Sequence, residues 1–140
     1  MFGENGIYGK SYHKIIDKNR IIIPLSTNVE AKEELCFIEE DELTFKICSL
    51  KELKKEIEQL KNIKVSSIEE KEKIEKEITK ITFFINSYSI VDKERRIVIP
   101  KYFLEKYNIK KELIFQGAYN HIKVFSSDEN YKKYMKKLKN

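Results

Sequence analysis

The three arginines of this 140-residue chain lie in two short segments of similar composition. Residues 17–24 read DKNRIIIP and residues 92–100 read DKERRIVIP, so each segment runs from an aspartate through a basic turn into aliphatic residues and a proline. Arginine presents a planar fork of donors that matches phosphate oxygens or the O6/N7 edge of guanine, whereas lysine is a flexible point charge. The placement of Arg20, Arg95 and Arg96 therefore indicates recognition of a nucleic acid.

An aspartate begins each of these turns. A carboxylate at that position can accept hydrogen bonds from backbone N–H groups two or three residues on, which would fix the loop and with it the arginine. Lys18 and Lys93 follow the aspartates and would add attraction for phosphate. We therefore take Asp17 and Asp92 as turn-fixing residues, and the two lysines as further DNA contacts beside the arginines. A second interpretation stays open, in which aspartate and arginine only pair with each other.

The two turns differ in spacing. Asp17 to Arg20 is three steps and Asp92 to Arg96 is four, so we expect the first turn to be one residue shorter. Asn19 and Arg95 stand just before the last arginine of each turn. Asn19 tolerates a left-handed backbone better than Arg95 does.

The two segments belong to a longer repetition, because the second half of the chain repeats the order of signals in the first. KEELCF at 32–37 pairs with KKELIF at 110–115, and FKICS at 45–49 pairs with IKVFS at 122–126. The charged turns between β-branched runs predict hairpins, and each later pair of runs predicts two strands around a turn, with Gly117 marking the turn of the second half. The segment after Pro100 predicts a short helix.

Three longer helices are predicted from capping boxes followed by apolar residues at helical spacing. The capping pairs are Ser49 with Glu52, Ser67 with Glu70, and Ser126 with Glu129. The middle helix, at about 68–83, has no second copy.

Composition excludes several classes of protein. The charged fraction is 36% and the net charge is +5, which permits nucleic-acid binding without requiring it. No apolar run is long enough to span a membrane, and the first residues lack a signal-peptide pattern. We expect Cys36 and Cys48 to be buried, reduced hydrophobic residues. Since no phosphate loop, metal-ligand spacing or nucleophile with a base is present, we predict no enzyme, catalytic residue, metal, cofactor or small-molecule substrate.

The two arginine segments resemble the hallmark of the MraZ family, a relative of the AbrB-type DNA-binding folds. In that family an Asp-x-x-x-Arg turn, followed by aliphatic residues and a proline, occurs twice. Asp92 and Arg96, followed by IVIP, have this spacing. The segment ELIFQGAYNHIKVFSSDENYKKYM at 112–135 is similar to the family's second repeat, and the opening Phe2-Gly3 agrees. The resemblance covers nearly the whole chain.

The resemblance implies a bacterial transcriptional regulator, cytoplasmic and nucleoid-associated. Such regulators form ring-like homo-oligomers, here an octamer by family resemblance, and bind direct repeats in double-stranded DNA upstream of cell-division and cell-wall genes. The DNA-contacting arginines then fall on Arg20 and Arg96, and the turn-fixing acids on Asp17 and Asp92. The alternative is an AbrB-like protein-interaction module, an antitoxin or a scaffold, without sequence-specific DNA binding.

Together, pattern and resemblance predict an α+β fold. Two tandem pseudo-repeats of β-hairpin and short-helix units would form a shared small β-barrel, with additional helices after each repeat. We expect the first repeat and its closing helix at 1–65, a central connecting helix at 66–84, and the second repeat with the C-terminal helix at 85–140.

Overall fold

The computed structural model describes residues 1–85 and 87–140, and its mixture of antiparallel strands and helices confirms the predicted α+β class. In chain order the elements are β1 (Lys10–Lys14), β2 (Arg20–Ile22), β3 (Glu34–Glu39), β4 (Phe45–Ser49), α1 (Leu50–Lys61), α2 (Ile68–Phe84), β5 (Tyr88–Ile90), β6 (Arg96–Val98), α3 (Lys101–Lys106), β7 (Glu112–Gly117), β8 (Ile122–Phe125) and α4 (Asp128–Lys139).

The strands form one six-stranded sheet and one separate two-stranded ribbon. The order in the sheet is β1-β7-β8-β4-β3-β5, with every neighbouring pair antiparallel, and β2 pairs with β6 in the ribbon. The pairs β3–β4 and β7–β8 are the two-strand units that the sequence predicted around a turn. Where a strand of one half pairs outside its own unit, its partner lies in the other half of the chain.

The charged turns do not connect the strands of hairpins, so that prediction was wrong. β1 leads into the first turn and pairs with β7, while β2 leaves the turn and pairs with β6. Likewise β5 pairs with β3, and β6 with β2. Because β-branched runs signal a strand but not its partner, the local pattern could not distinguish a hairpin from pairing between halves.

The predicted closed barrel is also absent among the described residues. β1 and β5 are the two edges of the six-stranded sheet, and the ribbon covers one face of that sheet without joining it in a continuous ladder. The enclosed core comes from both halves and includes Phe37, Phe45, Phe103, Leu113 and Val124, each at most 1% exposed. Side-chain packing, rather than strand closure, therefore holds the ribbon on the sheet.

Helices α1 and α2 pack on the opposite face of the sheet over a smaller core that includes Cys36 and Cys48. The two cysteines lie directly opposite each other on β3 and β4, and both are buried and free, as predicted. Burial raises the pKa of each thiol to about 12, which keeps it unreactive.

Helix α4 packs on β8 through aromatic side chains. Phe125 is buried and contacts Tyr131 and Tyr134 of α4, and Ile114 on β7 is buried as well.

Two of the three predicted helix caps are confirmed. Ser49 accepts from the backbone N–H of Glu52, and Ser67 from that of Glu70. The third prediction was wrong by one residue, since Ser127 caps α4 by accepting from the N–H of Asn130. Two consecutive serines, each followed three residues later by a polar side chain, leave this register ambiguous in the sequence.

Within residues 1–85 and 87–140, no helix has both the length and the apolar character that crossing a bilayer requires.

Candidate nucleic-acid interface

The ribbon brings the two arginine segments together. In its register Arg20 lies opposite Val98, Ile21 opposite Ile97, and Ile22 opposite Arg96. Side chains of directly opposed residues share a face, so Ile21 and Ile97 point into the core, where they are 0% and 1% exposed. We call the four remaining side chains the outer face of the ribbon: Arg20, Ile22, Arg96 and Val98.

The two turns have equal lengths, which corrects the expectation of a shorter first turn. In the first, which we call loop 1 (residues 16–20), the N–H of Ile16 donates to the carbonyl of Arg20 at 2.9 Å. In the second, loop 2 (residues 92–96), the N–H of Asp92 donates to the carbonyl of Arg96 at 3.0 Å. Each loop therefore closes over five residues. The difference is that the aspartate opens loop 2 but stands second in loop 1.

In loop 2 the aspartate is placed to fix the backbone. Oδ1 of Asp92 accepts from the N–H groups of Glu94 at 2.9 Å and Arg96 at 2.8 Å, and Oδ2 accepts from Nε of Arg96 at 2.7 Å. Burial acts to raise the pKa of Asp92, but the hydrogen bonds from Arg96 and Glu94 and the charge of Arg96 together outweigh it, so the pKa lies below its ordinary value. The bond to Asp92 in turn raises the pKa of Arg96.

In loop 1 the aspartate holds only the arginine. Nη2 of Arg20 donates to Oδ1 of Asp17 at 3.0 Å, and Nε of Arg20 donates to the Asp17 carbonyl oxygen at 3.2 Å. No backbone N–H in the described residues donates to the Asp17 carboxylate, which is 73% exposed. The hydrogen bond from Arg20 and its charge hold the pKa of Asp17 below the ordinary value.

Replacing Asp92 by alanine is expected to destabilise the fold by about 1–2 kcal/mol, because two backbone N–H groups lose a charged acceptor. Replacing Asp17 by alanine is expected to cost much less, because it breaks only an exposed ion pair. Urea unfolding of the two variants measures the difference. Equal losses would show that the shift of the aspartate within the loop has no consequence for stability.

The carboxylates orient the two arginines without saturating them. A guanidinium has five N–H donors. Arg20 uses two of them on Asp17, and Arg96 uses one on Asp92 and one from Nη2 on Glu94. Three donors on each arginine have no partner within residues 1–85 and 87–140 and are left for a ligand. The pairing that the sequence left open is thus present, and it positions the guanidinium groups at the protein surface with their side chains 21% and 27% exposed.

Both loops use the left-handed backbone conformation just before their last arginine. Asn19 has φ 58° and Arg95 has φ 61°, and in loop 1 Lys18 also has φ 60°. The carbonyl of Asn19 accepts from the N–H of Ile99 at 2.8 Å, and that of Arg95 accepts from the N–H of Ile23 at 2.7 Å. These cross-ribbon bonds hold each loop against the strand of the other half, so Arg95 keeps a conformation that it adopts reluctantly on its own.

Arg95 itself points back into the protein, where its Nε donates to the carbonyl of Ile23 at 3.3 Å. Lys18 and Lys93 are exposed at the loop surfaces. The basic residues predicted from the sequence thus fall into three groups: two oriented arginines, two exposed lysines without an ion pair to any described residue, and one arginine that donates to the backbone just beyond β2.

Sequence reasoning missed the two aliphatic residues of the outer face. Ile22 is 44% exposed and Val98 is 48% exposed, although both stand in runs of β-branched residues that read as core. The available signal was the period of two residues in a strand, because a strand that points Arg20 or Arg96 outward also points the second residue after it, Ile22 or Val98, to the same side.

The two histidines, His13 and His121, are packed or hydrogen-bonded within the protein, and neither is arranged as a catalytic base. His13 bonds Ser11 at 2.6 Å and packs on Phe115, and burial lowers its pKa. The Nδ1 of His121 bonds Oδ1 of Asn120 at 2.8 Å, while its buried Nε2 has no hydrogen-bond partner in the part of the chain that the structure describes. Burial, followed by the charges of Lys123 and Lys46, lowers the pKa of His121 to about 4. Among the described residues no group of three or more His, Cys, Asp or Glu side chains is arranged to hold a metal ion.

His121 predicts a pH dependence of stability. Its pKa is about 4 in the folded chain and near the ordinary 6.5 when unfolded, so between these values the unfolded chain binds an additional proton. The stability that His121 contributes is therefore fully present above about pH 6.5 and is lost as the pH drops towards 4. Urea midpoints measured across this range should show a smaller slope in His121→Gln, with the residual slope assigned to His13 and, below about pH 5, also to carboxylates with lowered pKa values such as Asp17 and Asp92. An unchanged slope would contradict the assignment.

Two comparisons with known proteins bear on this geometry. Residues 83–140 match the model of a family described as "MraZ protein, putative antitoxin-like". Over 132 residues the chain is 28% identical to a protein named Transcriptional regulator MraZ from Caldanaerobacter subterraneus subsp. tengcongensis, with 91% of this chain and 87% of the relative covered. Together these similarities confirm the resemblance that the motifs indicated.

Proposed function

We propose that this relative of the MraZ family is a transcriptional regulator that binds double-stranded DNA through the arginines of loops 1 and 2. The observation that carries the proposal is the outer face of the ribbon. It presents two oriented arginines with free donors on one side of a two-stranded antiparallel ribbon whose other side is buried. A ribbon of this kind fits the major groove of B-DNA, where arginine can bind the O6/N7 edge of guanine.

The spacing of the two arginines supports this mode of binding. Arg20 and Arg96 are diagonal neighbours on the ribbon, with backbones about 7–8 Å apart. Along one DNA strand successive nucleotides are about 3.4 Å apart, so the two side chains match positions about two steps apart. Lys18 and Lys93, exposed beside them, supply attraction for the flanking phosphates.

The proposal extends to assembly and targets as the resemblance implies them. The protein forms a ring-like homo-oligomer, an octamer, that engages direct repeats and controls division or cell-wall genes from the cytoplasm and nucleoid. Its halves, 1–65 and 85–140, are two copies of one unit joined by the connecting helix at 66–84. Two loops per chain, multiplied by self-association, would present the regular array of arginines that repeated sites require.

Salt titration of binding tests the proposal. A duplex pool of random sequence and the protein's own upstream region should both bind, with affinity that falls steeply as salt rises because phosphate contacts release counterions. Sizing of the protein and of the complex reports the assembly. Binding that does not respond to salt would argue against contact with DNA phosphates.

Glu94 offers a gain-of-affinity prediction. Its carboxylate contacts Nη2 of Arg96 and is 66% exposed, so it repels phosphate and occupies one donor. Glu94→Gln should raise the affinity for duplex DNA by about threefold or more at low salt, and the gain should shrink as salt screens the charge. Glu72→Gln, which removes the same charge from exposed α2, is the matched control. An equal gain in both variants would assign the effect to net charge alone.

A protein-interaction module is the second candidate function, and one surface favours it. Phe83 and Tyr102 are 79% and 55% exposed and line a cavity of about 360 Å³ together with Phe84 and Glu39. An aromatic surface of this kind suits a protein partner. If this were the main activity, replacing Arg20 and Arg96 would leave it unchanged.

A further inference from the structure

The outer face of the ribbon holds two exposed aliphatic side chains in addition to its arginines. Ile22 lies directly opposite Arg96, and Val98 directly opposite Arg20. Each aliphatic residue is therefore the nearest cross-strand neighbour of one arginine on the same face. If Arg20 and Arg96 contact base edges, Ile22 and Val98 lie close to the same bases.

No packing contact among residues 1–85 and 87–140 accounts for the exposure of Ile22 and Val98. Their neighbours in each strand, Ile21, Ile23, Ile97 and Ile99, are at most 1% exposed and fill the core. The two outward positions face solvent, where a polar β-branched residue such as threonine would serve the strand equally well. Two aliphatic residues at equivalent places of the two strands indicate a partner with apolar groups spaced among polar ones.

The major groove of DNA presents one apolar group, the C5-methyl of thymine, among the donors and acceptors of the base edges. We propose, on the premise that the ribbon binds DNA as described above, that Ile22 and Val98 contact thymine methyl groups and determine specificity for thymine next to the bases bound by Arg96 and Arg20. The arginines select guanine by hydrogen bonds, and the aliphatic residues select thymine by excluding water from its methyl group.

The expected effect follows from the size of one methyl group. Burial of a methyl or methylene group contributes about 0.8 kcal/mol, which corresponds to a factor of about 4 in affinity. Removing one contacted thymine methyl should therefore weaken binding about fourfold, and removing two should weaken it about 16-fold.

The experiment uses DNA in which only the methyl group changes. Duplexes selected by the native protein from a pool of random sequence are resynthesised with uracil in place of thymine. The native protein should bind the thymine form at least about fourfold more tightly than the uracil form. The double variant Ile22→Ala/Val98→Ala should bind both forms equally. Val98→Thr, which keeps the branched shape, should lose part of the preference without disturbing the strand.

The control is Ile90→Ala, which truncates a side chain that is 58% exposed on β5, outside the ribbon. It should keep the full preference for thymine. Equal binding of the thymine and uracil forms by the native protein, or full discrimination by the double variant, would overturn the proposal.

The same measurements distinguish the premise from the inference. The double variant Arg20→Gln/Arg96→Gln is added to this series. If the native protein binds the duplexes and this variant does not, but thymine and uracil forms are indistinguishable, only the role of Ile22 and Val98 fails. If the native protein selects no duplex from the pool, the proposed function fails and the inference fails with it.

Discussion

Replacing Arg20 and Arg96 together by glutamine should reduce the affinity for duplex DNA by about 100-fold or more. Each arginine is expected to contribute about tenfold, since a well-formed pair of hydrogen bonds to a base is typically worth that much or more in discrimination. Glutamine keeps length and polarity but removes the charge and the planar fork. Fluorescence anisotropy across a series of salt concentrations measures both the affinity and the number of phosphate contacts.

The single variants make this prediction sharper. Arg96 stands in the loop that the Asp92 carboxylate fixes, so it loses less entropy on binding than Arg20, and Arg96→Gln should be the more harmful change. A variant that weakens all sequences equally identifies a phosphate contact, whereas loss of preference at one base pair identifies base readout.

The matched control is Lys73→Gln/Lys76→Gln, which removes two charges from the exposed surface of α2. It should change affinity only slightly. Native affinity in the double arginine variant would remove the ribbon from the DNA-binding surface and favour the protein-interaction module.

The substitution Gly117→Ala should destabilise the fold by about 3 kcal/mol or more. A Cβ at this position would lie 2.5 Å from the carbonyl carbon and oxygen of Ile7 and from the amide nitrogen of Tyr8. These are backbone atoms held in place, because Ile7 exchanges two hydrogen bonds with Tyr119 and the N–H of Gly117 donates to the carbonyl of Gly9. The N-terminal segment would have to move away from β7.

Gly9→Ala is the control for backbone strain. Gly9 has φ +83°, and a Cβ there would meet nothing within 4 Å. It should cost about 1 kcal/mol through the left-handed conformation alone. Urea unfolding of both variants tests the comparison, and a loss at Gly117 no larger than that at Gly9 would contradict the steric explanation.

Gly117 also shows what the sequence could and could not reveal about local structure. It was interpreted as the mark of a turn, but it ends β7, and the turn residue with positive φ is Tyr119 at 72°. The glycine is required because another part of the backbone crosses it. Such a crossing involves residues more than a hundred positions apart and leaves no local signal.

The same limit applies to the candidate site. Aspartate, arginine and aliphatic runs identified both loops and the residues that orient their guanidinium groups. They did not reveal that the aspartate stands one position later in loop 1, because the loop is defined by the backbone bond from Ile16 to Arg20. Nor did they show that Ile22 and Val98 lie beside the arginines, since that depends on pairing between β2 and β6.

Helices and their caps were the most predictable parts, because a capping serine and its third neighbour interact within one turn. The caps at Ser49 and Ser67 illustrate this. Strand partners were the least predictable, because alternation defines the buried side of a strand and not the strand that will lie next to it.

Because strands of one half pair with strands of the other, neither half of the chain is expected to fold alone. An isolated N-terminal piece would lack the partners of β1 and β2, and an isolated C-terminal piece would lack those of β5 and β6. Each fragment would expose unpaired edges that match either the missing fragment or a second copy of itself. Two pieces severed between α1 and α2 and then mixed should therefore recover native structure by complementation, and loops 1 and 2 should regain their conformations together.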